Sequence, residues 1–204
     1  VAIAIGAALS WYAAKSVAMT AMPQMVAIFN GMGGATAALV SVAQYTGHGS
    51  FMTRGDIISV VLGTIIGSIS LTGSIIAFLK LQELLSGRPI TYGGQQIVNA
   101  ALAILIVALA GIIIVQQHSG NTNAMLLVMF AAALALGALV VLPIGGADMP
   151  VVVSILNSLT GLAAAITGFE LDNQALIVAG ALVGASGSYL TILMARAMNR
   201  SVTN

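Results

Sequence analysis

Charge is what this sequence has least of: six Lys and Arg and five Asp and Glu in 204 residues, 5% against the roughly 25% of a water-soluble domain. That scarcity excludes a soluble globular protein, and a net charge of +1 excludes the basic footprint of a nucleic-acid binder. Cysteine is missing altogether, so there is no disulfide, no thiol nucleophile and no thiolate metal site, and the redox compartment goes unmarked. The two histidines, His48 and His118, stand in separate breaks, and no metal-ligand spacing or nucleophile–base pairing joins them to the carboxylates. The same lack excludes covalent catalysis by these residues. No positive stretch precedes the first apolar run, as a signal peptide requires.

What is present is apolar surface. Hydrophobic residues make up 59% of the chain and the mean hydropathy is +1.09, which describes an integral membrane protein. Short polar breaks divide it into seven helical segments: one ending near Ala14, then Met22 to about Tyr45, Asp56 to about Leu84, Gln96 to about Val115, Ala124 to Leu142, Pro150 to about Phe169 and Ala175 to about Asn199. The expected fold is an all-α polytopic membrane bundle, a single transmembrane domain over residues 1–204. The apolar run before Lys15 is shorter than the ~20 residues a spanning helix needs, and the chain stops just past a helix. Both ends read as cuts, with the first segment truncated and further helices expected before residue 1.

Orientation follows from the cations. Lys15, Lys80, Arg88, Arg196 and Arg200 fall on one side and Arg54 alone on the other, which places the five, Asp148 and the C-terminus inside. His48, His118, Glu170 and Asp172 then lie outside, the two carboxylates in what reads as a solvated turn.

An internal repeat organises the segments. Met22-Pro23 through Asn30 and Gly34 lines up with Met149-Pro150 through Asn157 and Gly161 at a constant offset of 127. The next helix in each copy carries a ladder of small residues, Gly63 and Gly67 in one and Gly180 and Gly184 in the other. Segments two and three thus echo six and seven as a parallel repeat, and these four are expected to form the core, with four and five facing lipid. Both asparagines sit seven residues past a proline, roughly 10 Å into a hydrocarbon core of about 30 Å. Ser154, Asn157, Gly161 and Ala164 share one helix face; Ala27, Asn30, Gly34, Ala37 and Ser41 share another.

Each candidate carries two readings. Asn30 and Asn157 are either hydrogen-bond glue between helices, or amides that donate and accept at once along a water wire, with glycine four residues on opening the room. Asp148, in Gly145-Gly146-Ala147-Asp148-Met149-Pro150, is either an N-cap or a gate at the inner mouth of that polar stripe. Arg196 and Arg200 read first as inside anchors, with gating or docking as the second role. His48 and His118 read as solvated, with proton transfer at the outer mouth second. Gly31-Met32-Gly33-Gly34 is a poor dinucleotide loop, because no strand precedes it.

The runs Ile144 to Ser154, Ala181 to Gly187 and Ala197-Met198-Asn199-Arg200-Ser201 resemble the membrane domain of the beta subunit of proton-translocating NAD(P)+ transhydrogenase, as do Met22 to Asn30 and Gly73 to Phe78 with Lys80. The resemblance covers the whole chain. It implies a domain that couples hydride transfer between NADH and NADP+, carried out in soluble domains, to proton movement across a bacterial inner or mitochondrial inner membrane. It also implies an NADP(H)-binding domain after Arg200-Ser201, an alpha subunit that binds NAD(H), and a dimeric assembly. No cofactor is expected within these residues. The same resemblance puts Asp148 beside the NADP(H) domain and Asn157 on the proton path, and links Gly180, Gly184 and Gly187 to helix packing that transmits conformational change; Ser154 is a further candidate for the path through the face it shares with Asn157. Many members carry a histidine where this chain has Asn30; a partner-subunit histidine or amides and water alone must then serve. The alternative from another class is a secondary transporter or channel for a small solute, and a third is a passive anchor.

Overall fold

The computed structural model describes residues 1–48, 51–116 and 121–199. These form α1 (Ala2–Ser16), α2 (Met22–His48), α3 (Arg54–Leu81), α4 (Gln95–Gln116), α5 (Thr122–Val141), α6 (Met149–Glu170) and α7 (Gln174–Ala197), with single 3-10 turns at Met19–Ala21 and Gly146–Asp148. The all-α polytopic bundle expected from the sequence is the observed fold: α2 to α7 are each long and apolar enough to cross a membrane. Expected and observed ends agree to within about three residues, the range in which helix ends fray.

Local chemistry sets those ends. Thr53 caps α3 in a reciprocal box, its hydroxyl accepting from the Asp56 amide at 3.3 Å while the Asp56 carboxylate accepts from the Thr53 amide at 2.9 Å. The Asn173 side chain accepts from the Leu176 amide and caps α7. Past the C-termini of α3, α6 and α7, Glu83, Asp172 and Asn199 turn into the left-handed region at φ 58°, 49° and 53°, which stops each helix.

The centre of the bundle is α3, packed against α2, α5 and α6, with α7 laid on α6. One apolar cluster joins Tyr45, Ile57, Val60 and Val61 to Ile113 on α4 and Leu126, Met129 and Ala133 on α5. A second joins Ala27 and Ala77 to Val141, Met149 and Leu156. The assignment of helices to core and lipid therefore changes in two places. Helix α5 is a core helix: a Cβ on Gly137 would press into Thr72 Oγ1 and stand 2.5 Å from the Ile69 carbonyl oxygen, so only glycine permits this approach. Helix α7 is peripheral, with Leu182, Val183, Tyr189 and Leu190 exposed. Hydropathy does not separate a lipid-facing helix from one packed on apolar neighbours, because lipid tails are as apolar as leucine; α4, largely exposed, matches the expectation.

The repeat appears as matched packing. In the α2–α3 seam a Cβ on Gly34 would lie 2.8 Å from the Gly67 oxygen and 2.9 Å from the Leu71 nitrogen; in the α6–α7 seam a Cβ on Gly161 would lie 2.5 Å from the Gly184 nitrogen. A Cβ on Gly67 would lie 2.7 Å from the Gly34 oxygen, and one on Gly180 would lie 2.7 Å from the Gly161 oxygen. Gly67 thus takes the place of Gly180, and Leu71 that of Gly184. The two ladders match one helical turn out of the order in which they read along the chain.

Candidate functional site

Asn30 is 7% exposed, on the face of α2 that meets α3. Its Nδ2 donates to Ser74 Oγ at 2.8 Å and Ser70 Oγ at 3.3 Å, while its Oδ1 is buried with no partner among the described residues. Ser70 carries the connection onward: its hydroxyl donates to the Leu156 carbonyl at 3.1 Å and pairs with the Thr160 hydroxyl, which also reaches the Leu156 carbonyl at 3.0 Å. One amide and four polar groups therefore bind α2, α3 and α6 together inside the bundle. Ser70 and Ser74 were legible as a small-residue ladder. Thr160 was not singled out, although it follows Asn157 by the three residues that separate Gly33 from Asn30.

That spacing also sets the level of Asn157. A Cβ on Gly33 would touch Thr160 Cγ2 at 3.0 Å, so the parallel helices α2 and α6 run in register there and the two asparagines lie at one height. Asn157 is half-buried and makes no side-chain hydrogen bond among the described residues. Ser154 belongs to another contact. It accepts from Thr191 at 3.0 Å and reaches the Gly187 carbonyl at 3.4 Å, in a seam continued by Ser158, Ser188 and the Gly184 carbonyl. The structure brings Asn30 together with the α3 serines and Ser154 together with α7, and leaves Asn157 between the two groups.

Asp148 ends the 3-10 turn ahead of α6 and is half-buried; its carboxylate makes no capping bond to the helix, so capping does not account for it. At the same end of the bundle lies a cation that the sequence marked by its side of the membrane and by the resemblance, without showing that it is buried. Lys80 is 2% exposed, and its ammonium donates to the carbonyls of Ile144 at 2.7 Å, Leu142 and Arg88. With Gly146 N donating to the Gly87 carbonyl at 2.8 Å and Ile90 N to Leu142 at 3.2 Å, it stitches the α3–α4 connection to the α5–α6 turn. A cavity of about 460 Å³ opens there, lined by Lys80, Glu83, Ser86, Gly87 and Gly146. Arg196 is exposed in the last turn of α7, while Arg200 and His118 lie outside the described residues.

At the opposite end of α6, Glu170 does not sit in a solvated turn. Its carboxylate turns inward and accepts from the fully buried Ser41 hydroxyl at 2.8 and 2.9 Å. Asp172 and His48 remain exposed. The glycines of residues 31–34 are held inside α2, where a Cβ on Gly31 would meet Ser74 Cβ at 3.2 Å, so they form no cradle for a pyrophosphate. These residues do not fit a dinucleotide.

The model of the NAD(P) transhydrogenase beta subunit matches residues 1–204. The chain belongs to that family. Two curated sequences from Rhodospirillum rubrum, one of them from a defined strain, each named NAD(P) transhydrogenase subunit beta, are 44% identical to it over 210 residues. The match takes in 100% of this chain and 44% of each relative, so the chain spans less than half the length of the transhydrogenase subunits it resembles. The family agrees with the resemblance carried by residues 144–154 and 197–201 and favours it over a solute transporter.

Proposed function

We propose that this bundle is the proton-conducting membrane part of a transhydrogenase that moves hydride between NADH and NADP+ in soluble domains outside these residues. The observation that carries the reading is the buried Asn30 amide, its oxygen unpartnered, level with an Asn157 whose side chain makes no hydrogen bond among the described residues. Structural glue uses its donors and acceptors up. Asn30 keeps its oxygen for water and Asn157 keeps both ends of its amide, and groups that accept from and donate to water orient a proton-carrying chain without holding charge themselves.

In this reading Asn30, Ser70, Ser74 and Thr160 orient the chain of waters, Asn157 continues it, and Ser154 borders it while fixing α7. Asp148 gates the inner mouth, and Lys80 ties the connections around that mouth to the helices. Arg200 serves docking or gating towards an NADP(H)-binding domain following residue 204. The partner is an alpha subunit that binds NAD(H) and lends membrane helices, the assembly is a dimer, and the site is a bacterial or mitochondrial inner membrane with the C-terminus inside. Because neither amide titrates, a histidine from a partner helix supplies the group that changes charge.

The test follows pH inside sealed liposomes holding the full beta subunit and its partner subunits while NADPH reduces an NAD+ analogue. Proton movement that begins with turnover, is abolished by an uncoupler and is lost in Asn157→Leu is the expected result. Turnover without proton movement in the unaltered enzyme makes the domain an anchor.

A further inference from the structure

Glu170 is the one carboxylate that folding has drawn into the bundle and that the proposed path does not use. Among the described residues no cation pairs with it; its side-chain partner is the Ser41 hydroxyl, whose single hydrogen lies between the two carboxylate oxygens at 2.8 and 2.9 Å. The contact depends on Gly63 of α3. A Cβ there would collide with Ser41 Oγ and lie 2.6 Å from Glu170 Oε1, so the absence of one side chain lets a serine from α2 and a glutamate from α6 meet against α3.

The carboxylate also borders a cavity of about 440 Å³ shared with Gln44, His48, Phe51, Asp56 and Asp172. Ser41 lies on the same face of α2 as Ala37, Gly34 and Asn30, at the three- and four-residue spacing of one helix stripe. About 16 Å of helix separates Ser41 from Asn30. Within that interval Thr64, next to Gly63, holds a fully buried hydroxyl with no partner among the described residues.

We propose that Glu170 is the residue that takes up protons from the face opposite Asp148 and passes them through Ser41 towards Asn30; this rests on the proton-path reading above. The carboxylate takes one proton from a hydronium ion that has entered the cavity, leaving water behind. The resulting carboxyl donates to Ser41 Oγ, which frees the Ser41 hydrogen to turn into the bundle. Glu170 returns to the carboxylate as the Ser41 hydrogen passes to a water on the inner side, which leaves as hydronium, and only O–H bonds are made and broken. The charged and titratable groups around it are His48 on α2, Asp56 on α3 with Arg54 at the start of that helix, and exposed Asp172 in the turn. His48 and the two aspartates line the same cavity.

A purely structural role for Glu170 predicts a different outcome from the same substitution. Glutamine keeps an oxygen that accepts from Ser41, so Glu170→Gln preserves the helix contact while removing the proton site. The experiment measures turnover-linked proton movement by the complete enzyme in sealed liposomes, across a series of pH values on the Glu170 side. Glu170→Gln is expected to slow proton movement at least about tenfold and to flatten its dependence on that pH, with Glu170→Asp restoring part of both. A coupled wild type whose Glu170→Gln variant keeps the same rate and profile overturns this proposal and leaves the proton path standing. Turnover without proton movement in the wild type overturns the path itself. If Glu170→Gln fails to assemble, Ser41→Ala carries the test: a displaced profile supports transfer through Glu170, and an unchanged one overturns it.

Discussion

Asn30 and Asn157 stand level on two parallel helices, yet Asn30 is tied to Ser74 at 2.8 Å and Asn157 makes no side-chain hydrogen bond among the described residues. The same substitution therefore has different consequences at each. Asn157→Leu is expected to leave stability within about 0.5 kcal/mol, because no hydrogen bond is lost, while reducing turnover-linked proton movement at least about tenfold. Asn30→Leu removes the donor to two serines and forces a branched chain against α3, costing about 1–2 kcal/mol in addition to the same loss of transport. Denaturant titration in detergent reads the first quantity and liposome pH the second. Equal stability losses at both positions contradict the difference in bonding.

The glycine seams give a packing prediction. Gly67→Ala and Gly180→Ala each push a methyl to 2.7 Å from a carbonyl oxygen of the opposing helix, and each should destabilise by about 1–3 kcal/mol. Gly111, with nothing within 4 Å of an added Cβ, is the control on the same chain. Gly111→Ala should be neutral or stabilising by up to about 1 kcal/mol, since glycine disfavours helix. Melting the variants side by side checks the order.

Lys80→Met removes an ammonium that serves the carbonyls of Leu142, Ile144 and Arg88. Methionine fills similar space but donates nothing, so the expected cost is about 1–3 kcal/mol, the range for leaving buried acceptors unpaired. The loss should be local. Amide hydrogen exchange should quicken at Gly146 and Ile90, whose amides bridge the two connections, while the Asn30 level of the bundle stays protected.

Ser154 sits in the α6–α7 seam, accepting from a Thr191 hydroxyl that also reaches the Gly187 carbonyl at 2.8 Å. Ser154→Ala leaves Thr191 with that second partner. It should change stability by less than about 0.5 kcal/mol and proton movement by less than about twofold. A loss as large as that of Asn157→Leu would move Ser154 from the border of the path into it.

The sequence by itself determined the class of protein, the number and ends of its helices, and the pairing of segments two and three with six and seven. Each of these is written in local composition: an apolar run of spanning length forms a helix wherever it lies, and Pro23, Pro150, Thr53 and Asn173 mark its start. Asn30, Asn157 and Asp148 were visible for the same reason, being polar groups scarce in an apolar chain. What only tertiary structure decided is which surfaces meet. Hydropathy is blind to the difference between lipid and a neighbouring helix, so α5 and α7 exchanged the core and peripheral roles that composition suggested. It is equally blind to a buried charge whose partners are backbone carbonyls, as at Lys80, and to a carboxylate drawn inward because Gly63 of another helix leaves it room. Sequence specifies the side chain, whereas its environment is set by residues 40 to 130 positions away, such as Ser70 for Asn30 and Ser41 for Glu170.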